Sequence, residues 1–292
     1  MKQGFVKVAS ATPRIRVADP VYNAQVICEQ AKEAAEHGAK IVVFPELCIT
    51  GYTCNDLFLQ ELLLEKAKEA LLTIAEETGQ LETLFLVGLP VDKDGRLYNV
   101  AAVLYRGRIL GMIPKKNIPM YAEFYEGRHF TPGEETVTEY RLGKQVIPFG
   151  SNLLFRCEEL PELILGCELC EDLWVAEPPS TSHALMGATV IANLSASNET
   201  VSKDDYRTLL IKASSARLLC GYIYTSAGEG ESTQDLVFGG HDLIAENGTL
   251  LVQSARFTTG ILYPDLDVLK ISSERRRMGT FGKRPMKPYL TV

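Results

Sequence analysis

Three residues far apart in the chain carry chemistry that none could carry alone. Glu46 follows the apolar run Ile41-Val42-Val43-Phe44 and Pro45, Lys115 follows RILGMI (108–113) and Pro114, and Cys170 closes LILGCELC (163–170). A carboxylate, an amine and a thiol therefore stand at three strand exits. In an α/β sheet, side chains at the C-terminal ends of strands converge on a shared crevice, which is where ligands bind. A thiol meeting a carboxylate and an amine there is equipped for nucleophilic attack with proton transfer, because the thiolate is the attacking species. Taken singly, each would more often be structural, as a loop carboxylate, a surface lysine and a buried thiol.

Hydrophobic spacing shows which elements must deliver these groups. From Tyr22 to Glu36 the apolar positions Val26, Ile27, Ala31, Ala34 and Ala35 recur with a helical period, and His37-Gly38 supplies a stop before the strand that ends at Glu46. Leu63, Ala67, Ala70, Leu71 and Ile74 predict a second helix closed by Gly79, followed by the strand LFLVGLPV at 84–91. Helices alternating with strands predict an at least partly parallel sheet. NVAAVLY (99–105), a turn at Arg106-Gly107 and RILGMI read as an antiparallel hairpin. Beyond Cys170 the pattern predicts a short helix around His183 to Met186, the strand TVIANLSAS (189–197), an amphipathic helix over about 203–219, a strand from Gly221 and a hairpin turn at Asn247-Gly248. The segment from Glu274, ERRRMGTFGKRPMKPYLTV, is basic and lacks a helical or strand period, so the reading sets a domain over 1–273 and a linker or tail over 274–292.

Composition narrows the class. With 292 residues and 46% hydrophobic content, the chain can fill a substantial core. A formal net charge of -7 provides no overall positive field for nucleic acid or anionic lipid. The N-terminus has no continuous apolar stretch, and no run of eighteen apolar residues occurs, so a cytoplasmic protein with no membrane segment is expected. Seven cysteines, an odd number in mostly apolar segments, argue against a disulfide framework. Cys167 and Cys170 form a CxxC pair, but no second CxxC and no HxxxH accompany it, so no metal site is expected. The glycine-rich stretch at 228–244 carries Glu229 and Glu231, which would repel phosphate, and no GxxxxGK[ST] pattern; it is expected to shape a pocket rim.

FPELCITGY around Glu46, LYNVAAVLYRGRILGMIPKKNIP around Lys115 and LGCELCEDLWVAEPP around Cys170 resemble, in order and spacing, the three motifs of the nitrilase, or carbon-nitrogen hydrolase, superfamily. More narrowly, GYTCNDLF, PMYAEFYEGRHF and CEDLWVAEPPS are similar to the glutaminase domain of glutamine-dependent NAD synthetases, and the likeness covers nearly the whole chain. The resemblance implies a four-layer αββα sandwich that assembles into homo-oligomers. It also implies a Glu-Lys-Cys triad: Cys170 as nucleophile, Glu46 as general base, and Lys115 with a backbone N–H beside Cys170 as donors to the oxyanion. Glu126 would steady the lysine, Tyr52, Tyr121, Glu171 and Ser197 would contact glutamine, and Trp174 would add to the pocket wall. Cys167, three residues back on the same strand, is expected to be structural.

The activity so implied is release of ammonia from L-glutamine through a cysteine thioester, with no cofactor in this domain. ATP and Mg are expected only for a synthetase domain that amidates deamido-NAD to NAD. The SGGxDS loop of such a domain is missing from this sequence, so the expected partner is a synthetase domain in the same or another chain. Two alternatives stand beside this reading: a stand-alone amidase of the same superfamily acting on another small amide, and a catalytically silent scaffold.

Overall fold

Alternation of helix and strand builds two sheets, not one. In the computed structural model, which describes residues 1, 3–282 and 288–292, the chain runs β1 (Phe5–Thr12), α1 (Pro20–Glu36), β2 (Ile41–Val43), α2 (Glu61–Glu77), β3 (Leu84–Lys93), β4 (Arg96–Tyr105), β5 (Arg108–Pro114), β6 (Thr138–Leu142) and β7 (Gln145–Phe149). It continues through β8 (Leu153–Arg156), β9 (Ile164–Leu169), α3 (Pro179–Leu185), β10 (Val190–Ser195), α4 (Lys203–Leu218), β11 (Gly221–Ser226), β12 (Leu243–Glu246) and β13 (Thr249–Gln253). β14 (Gly260–Leu262), β15 (Asp265–Asp267), α5 (Val268–Arg277) and β16 (Leu290–Thr291) complete it. Among the described residues, one sheet has the order β14-β1-β2-β3-β4-β5-β7-β6 with β15 also on β1, and the other β13-β12-β11-β10-β9-β8-β16.

The period of two along each strand decides the layering. Val6, Val8, Ile41, Val43, Leu86, Ala101 and Val103 of the first sheet face Leu165, Cys167, Leu169, Val190, Ala192, Leu194 and Ile223 of the second in one dry core. The opposite face of the first sheet, with Val42, Phe85, Val87 and Leu89, is covered by Ala24, Ile27, Ala31, Ala67, Leu71 and Ile74 of α1 and α2. The opposite face of the second, with Ile191, Tyr222 and Tyr224, is covered by Ala184 of α3 and Ile211 and Leu218 of α4. The result is the four-layer αββα sandwich. Parallel strands run side by side in each sheet, β1-β2-β3 and β9-β10-β11, so their C-terminal ends open on the same side.

Local signals account for the boundaries. Asp19 caps α1 by accepting the Tyr22 N–H, with Pro20 at the first helical position. Arg106-Gly107 and Asn247-Gly248 both have positive φ at each residue, the two-residue geometry that turns β4 into β5 and β12 into β13. The β6–β7 hairpin was not anticipated. Its burial pattern is mostly exposed on β6, which leaves little hydrophobic alternation to read.

Across Glu274, where the linker or tail is expected to begin, the chain is helical. Residues 274–277 complete α5, and β16 pairs in parallel with β8, while 283–287 of the expected tail lie outside the described residues. The physical reason is Arg275, whose guanidinium donates to the carbonyls of Leu219 (2.9 Å), Leu218 (3.0 Å) and Ala188 (2.6 Å), closing the unsatisfied C-terminal end of α4 and the turn after α3. Replacing Arg275 by methionine is therefore expected to lower unfolding free energy by about 2–3 kcal/mol, because several buried carbonyls lose their donor at once. Urea denaturation checks this, and an unchanged midpoint would show that α5 is only a solvated extension. No helix among the described residues is long and apolar enough to cross a membrane.

Candidate active site

Glu46 is delivered by the end of β2. Phe44 N–H still bonds to Leu86 O, and the chain then turns through Leu47, whose φ of 52° is left-handed, so the carboxylate swings inward between the sheets. This turn lies so close on β3 that a Cβ at Gly88 would stand 2.3 Å from Leu47 N; only glycine fits there. Glu46 N–H donates to Ser195 O of β10, which ties the turn to the second sheet.

Lys115 arrives from the end of β5, its N–H still paired to Asn99 O on β4. Its ammonium is fully buried and donates to Glu46 Oε1 at 2.7 Å and Glu126 Oε1 at 2.6 Å. Asn99 Nδ2 donates to Glu46 Oε1 at 2.7 Å, and Tyr52 Oη donates to Glu126 Oε1 at 2.8 Å. Glu46 Oε2 is buried and accepts no hydrogen bond among the described residues. Burial pushes the Glu46 carboxyl up to about 7, with Lys115 opposing and Glu126 adding to the rise. Burial disfavours the Lys115 charge, but the Glu126 and Glu46 carboxylates outweigh it and hold that pKa well above the ordinary lysine range. The cluster thus holds a fixed cation beside a carboxylate that titrates near neutrality.

Cys170 stands one residue past β9, at the start of a short 3-10 turn (Cys170–Leu173), with a φ of 38°. By the period of two along β9, Cys167 and Leu169 face the inter-sheet core and Cys170 falls off that row, and its left-handed φ ends the strand there. Cys167 is correspondingly sealed in the core, and burial raises its pKa well above the ordinary thiol range. Burial also pushes the Cys170 thiol up to about 12; the Glu46 and Glu126 charges raise it and Lys115 lowers it, as does a backbone hydrogen bond from Ala196. The sulfur therefore lies within the electrostatic reach of all three members of the Glu-Lys-Glu cluster. Asp172 stitches the turn to the lysine segment, accepting from Leu169 N (3.0 Å), Asn117 N (2.8 Å) and Asn117 Nδ2 (2.7 Å).

The expected substrate contacts are distributed around this centre. Tyr121 Oη donates to Glu171 Oε1 at 2.9 Å, on an exposed tyrosine and a carboxylate whose pKa burial raises and Tyr121 lowers. Trp174 packs edge-on against Tyr206, and the Lys203 ammonium lies 5.1 Å from its ring centre. Ser197 is buried, its hydroxyl accepting from Arg207 Nη2 at 3.3 Å. Tyr52 is buried against Glu126 and is itself held by Glu231, which accepts its N–H at 2.7 Å and that of Thr53 at 3.0 Å. Ser232, Gln234 and Leu236 join Tyr52, Phe58 and Glu126 in lining a cleft, so the glycine-rich stretch does form a rim.

Lys203 was missed in the sequence. Burial lowers its pKa, and a thiolate at Cys170 opposes that fall, which puts the ammonium within electrostatic reach of the sulfur. A lysine as the first residue of a helix opposes the macrodipole, and that unfavourable placement is the one signal that could have flagged it. Asn99 and Asp172 were missed as well, because neutral or paired side chains inside a strand or turn carry no spacing signature.

Comparison with known proteins identifies the family. Residues 7–276 match the sequence profile of the Carbon-nitrogen hydrolase family. A Glutamine-dependent NAD(+) synthetase of Mycobacterium tuberculosis is 43% identical over 282 residues, spanning 96% of this chain and 42% of that protein. The crystal structure of a glutamine-dependent NAD(+) synthetase from Cytophaga hutchinsonii superposes with a TM-score of 0.81 at 28% identity, covering 90% of this chain and 43% of that one. An amidase of Nesterenkonia AN1 from the nitrilase superfamily shares the fold, with a TM-score of 0.71 at 21% identity over 95% of this chain and 96% of its own. The chain thus spans less than half the length of the NAD synthetases it matches.

Proposed function

The chain belongs to the carbon-nitrogen hydrolase family, and from that premise we propose that it hydrolyses the side-chain amide of L-glutamine and supplies the ammonia to an NAD synthetase domain. The observation that carries this reading is the buried contact of Lys115 with both Glu46 and Glu126, set against Cys170.

A thiol held near 12 is neutral at physiological pH, so it needs a base at the moment of attack. Glu46 Oε2 is the oxygen left for that proton, since Oε1 is taken by Lys115 and Asn99. As Glu46 takes the proton, sulfur forms a bond to the carboxamide carbon and the C=O electron pair moves onto oxygen. The Lys115 ammonium faces that oxyanion. The Cys170 N–H already donates to Asn193 Oδ1 at 3.2 Å, so the partner donor is the Glu171 N–H, the next in the turn. Glu46 returns the proton to the departing nitrogen, releasing ammonia and leaving a thioester. It then deprotonates water for attack on the thioester, and glutamate leaves with the thiol restored.

The free end of glutamine is a zwitterion, and Glu171 and Lys203 offer opposite charges beside Cys170. Glu171→Ala is expected to raise KM for glutamine about 10- to 100-fold while changing turnover of a neutral amide such as butyramide by less than about threefold. Ammonia release from glutamine, asparagine, aliphatic amides and nitriles decides between this reading and a stand-alone amidase. An aliphatic amide that outruns glutamine in the wild-type protein would overturn the substrate assignment.

Because the base works only as a carboxylate, kcat/KM is expected to fall about tenfold per pH unit below about 7, where burial places Glu46. The sign is fixed by the charge: protonation at lower pH removes the acceptor for the Cys170 proton. A limb lying in the ordinary carboxylate range instead would show that burial does not raise the essential base as this reading requires.

A further inference from the structure

We infer that Asn193 is a positioning residue that holds the Cys170 backbone in its left-handed turn, with its amide oriented by Tyr222 and Glu168. The inference rests on the reading of Cys170 as the nucleophile. A non-glycine residue at a φ of 38° is strained, and such strain persists only where neighbours over-determine the conformation. The neighbour here is on the adjacent parallel strand: Asn193 of β10, in register with Glu168 of β9, accepts the Cys170 N–H on its Oδ1.

The amide has only one workable orientation. Tyr222 gives its single proton to Glu168 Oε1, so its oxygen is left to accept from Asn193 Nδ2 at 3.2 Å. The other carboxylate oxygen, Glu168 Oε2, accepts the Ser180 N–H at 2.7 Å, which ties the carboxyl group in place beside Tyr222. With its nitrogen pointed at Tyr222, Asn193 presents its oxygen to Cys170, and the Ser195 hydroxyl donates to that same oxygen at 2.7 Å. A reversed amide would set its NH2 against the Cys170 N–H and its oxygen against Tyr222, which has no second proton to give. Asn193, Tyr222, Glu168 and Ser195 are all buried, so no solvent competes for these bonds.

The same strand also holds the base, since Ser195 O accepts the Glu46 N–H at 3.2 Å. Two residues apart on β10, Asn193 and Ser195 therefore fix the backbone of the nucleophile and that of its proton acceptor relative to one another. None of Asn193, Tyr222 and Glu168 is assigned a contact with substrate; they act through Cys170.

The test compares wild type, Asn193→Ala and Tyr222→Phe by two readouts. One is kcat and KM for glutamine; the other, independent of substrate, is the rate at which iodoacetamide alkylates Cys170, resolved by peptide mass spectrometry with Cys157 as internal reference. A displaced nucleophile is expected to lower kcat about 30- to 100-fold in Asn193→Ala with KM within about threefold, and to slow Cys170 alkylation about tenfold while Cys157 is unchanged. Tyr222→Phe, which leaves the amide free to reverse, is expected to fall about 5- to 10-fold on both readouts. Should Asn193→Ala not fold, Tyr222→Phe carries the decision alone. If the wild type releases no ammonia from glutamine, the substrate reading fails and alkylation still decides Asn193. Both readouts within about threefold of wild type would overturn the inference.

Discussion

Cys170→Ala is expected to reduce ammonia release from glutamine to the uncatalysed background, a loss of at least about five powers of ten. No other group stands in for the sulfur. Cys167 faces the inter-sheet core, three residues back along β9. Cys170→Ser is expected to fare little better, because a hydroxyl is a far weaker acid than a thiol and a carboxylate near 7 cannot take its proton efficiently. The change is conservative in volume, so the fold and the Lys115 ion pairs should survive it. A glutamate-formation assay read alongside thermal unfolding separates lost chemistry from lost structure, and more than about one per cent residual turnover in Cys170→Ala would show that sulfur is not the nucleophile.

Lys115→Met is expected to lower kcat by about three powers of ten or more. Loss of one oxyanion donor alone costs about two to three powers of ten. A second effect adds to it: Glu46 and Glu126 both bond to the Lys115 ammonium, and without that cation two buried carboxylates face one another. Glu46, already pushed up by burial and by Glu126, would rise further and spend more of its time protonated at neutral pH. The remaining activity should therefore shift its acidic limb to higher pH. Removing the cation from this buried cluster also destabilises the fold, by about 3–5 kcal/mol, so activity is to be compared at a temperature where the variant is folded. An unshifted pH limb with unchanged stability would mean that Lys115 does not hold these carboxylates in solution.

Much of this site was legible because its principal groups end strands. Apolar runs that stop at Glu46, Lys115 and Cys170 placed all three at strand ends, and the structure pairs Lys115 with Glu46 in a buried ion pair whose charges reach Cys170. Glu126 was legible only through resemblance, since a carboxylate in EFYEGRHF has no period to mark it. What the sequence could not reveal is neutral and geometric. The left-handed φ of Cys170, the Asn193 oxygen beneath it and the Asp172 bonds to Asn117 arise from sheet register, which hydrophobic spacing does not specify to the atom. The helix that crosses Glu274 was illegible for a related reason: α5 is anchored by one arginine reaching carbonyls at the ends of two elements distant in sequence, and no local pattern announces that contact.

The central claim is a covalent one, that the γ-carboxamide of glutamine is cut through an acyl intermediate on Cys170. Wild-type protein mixed with glutamine, quenched in acid and measured by intact and peptide mass should carry a γ-glutamyl adduct on Cys170 that appears before steady ammonia release and is absent from Cys170→Ser. Steady ammonia release without any such adduct on rapid quenching, or an adduct mapped to a different cysteine, would contradict the account.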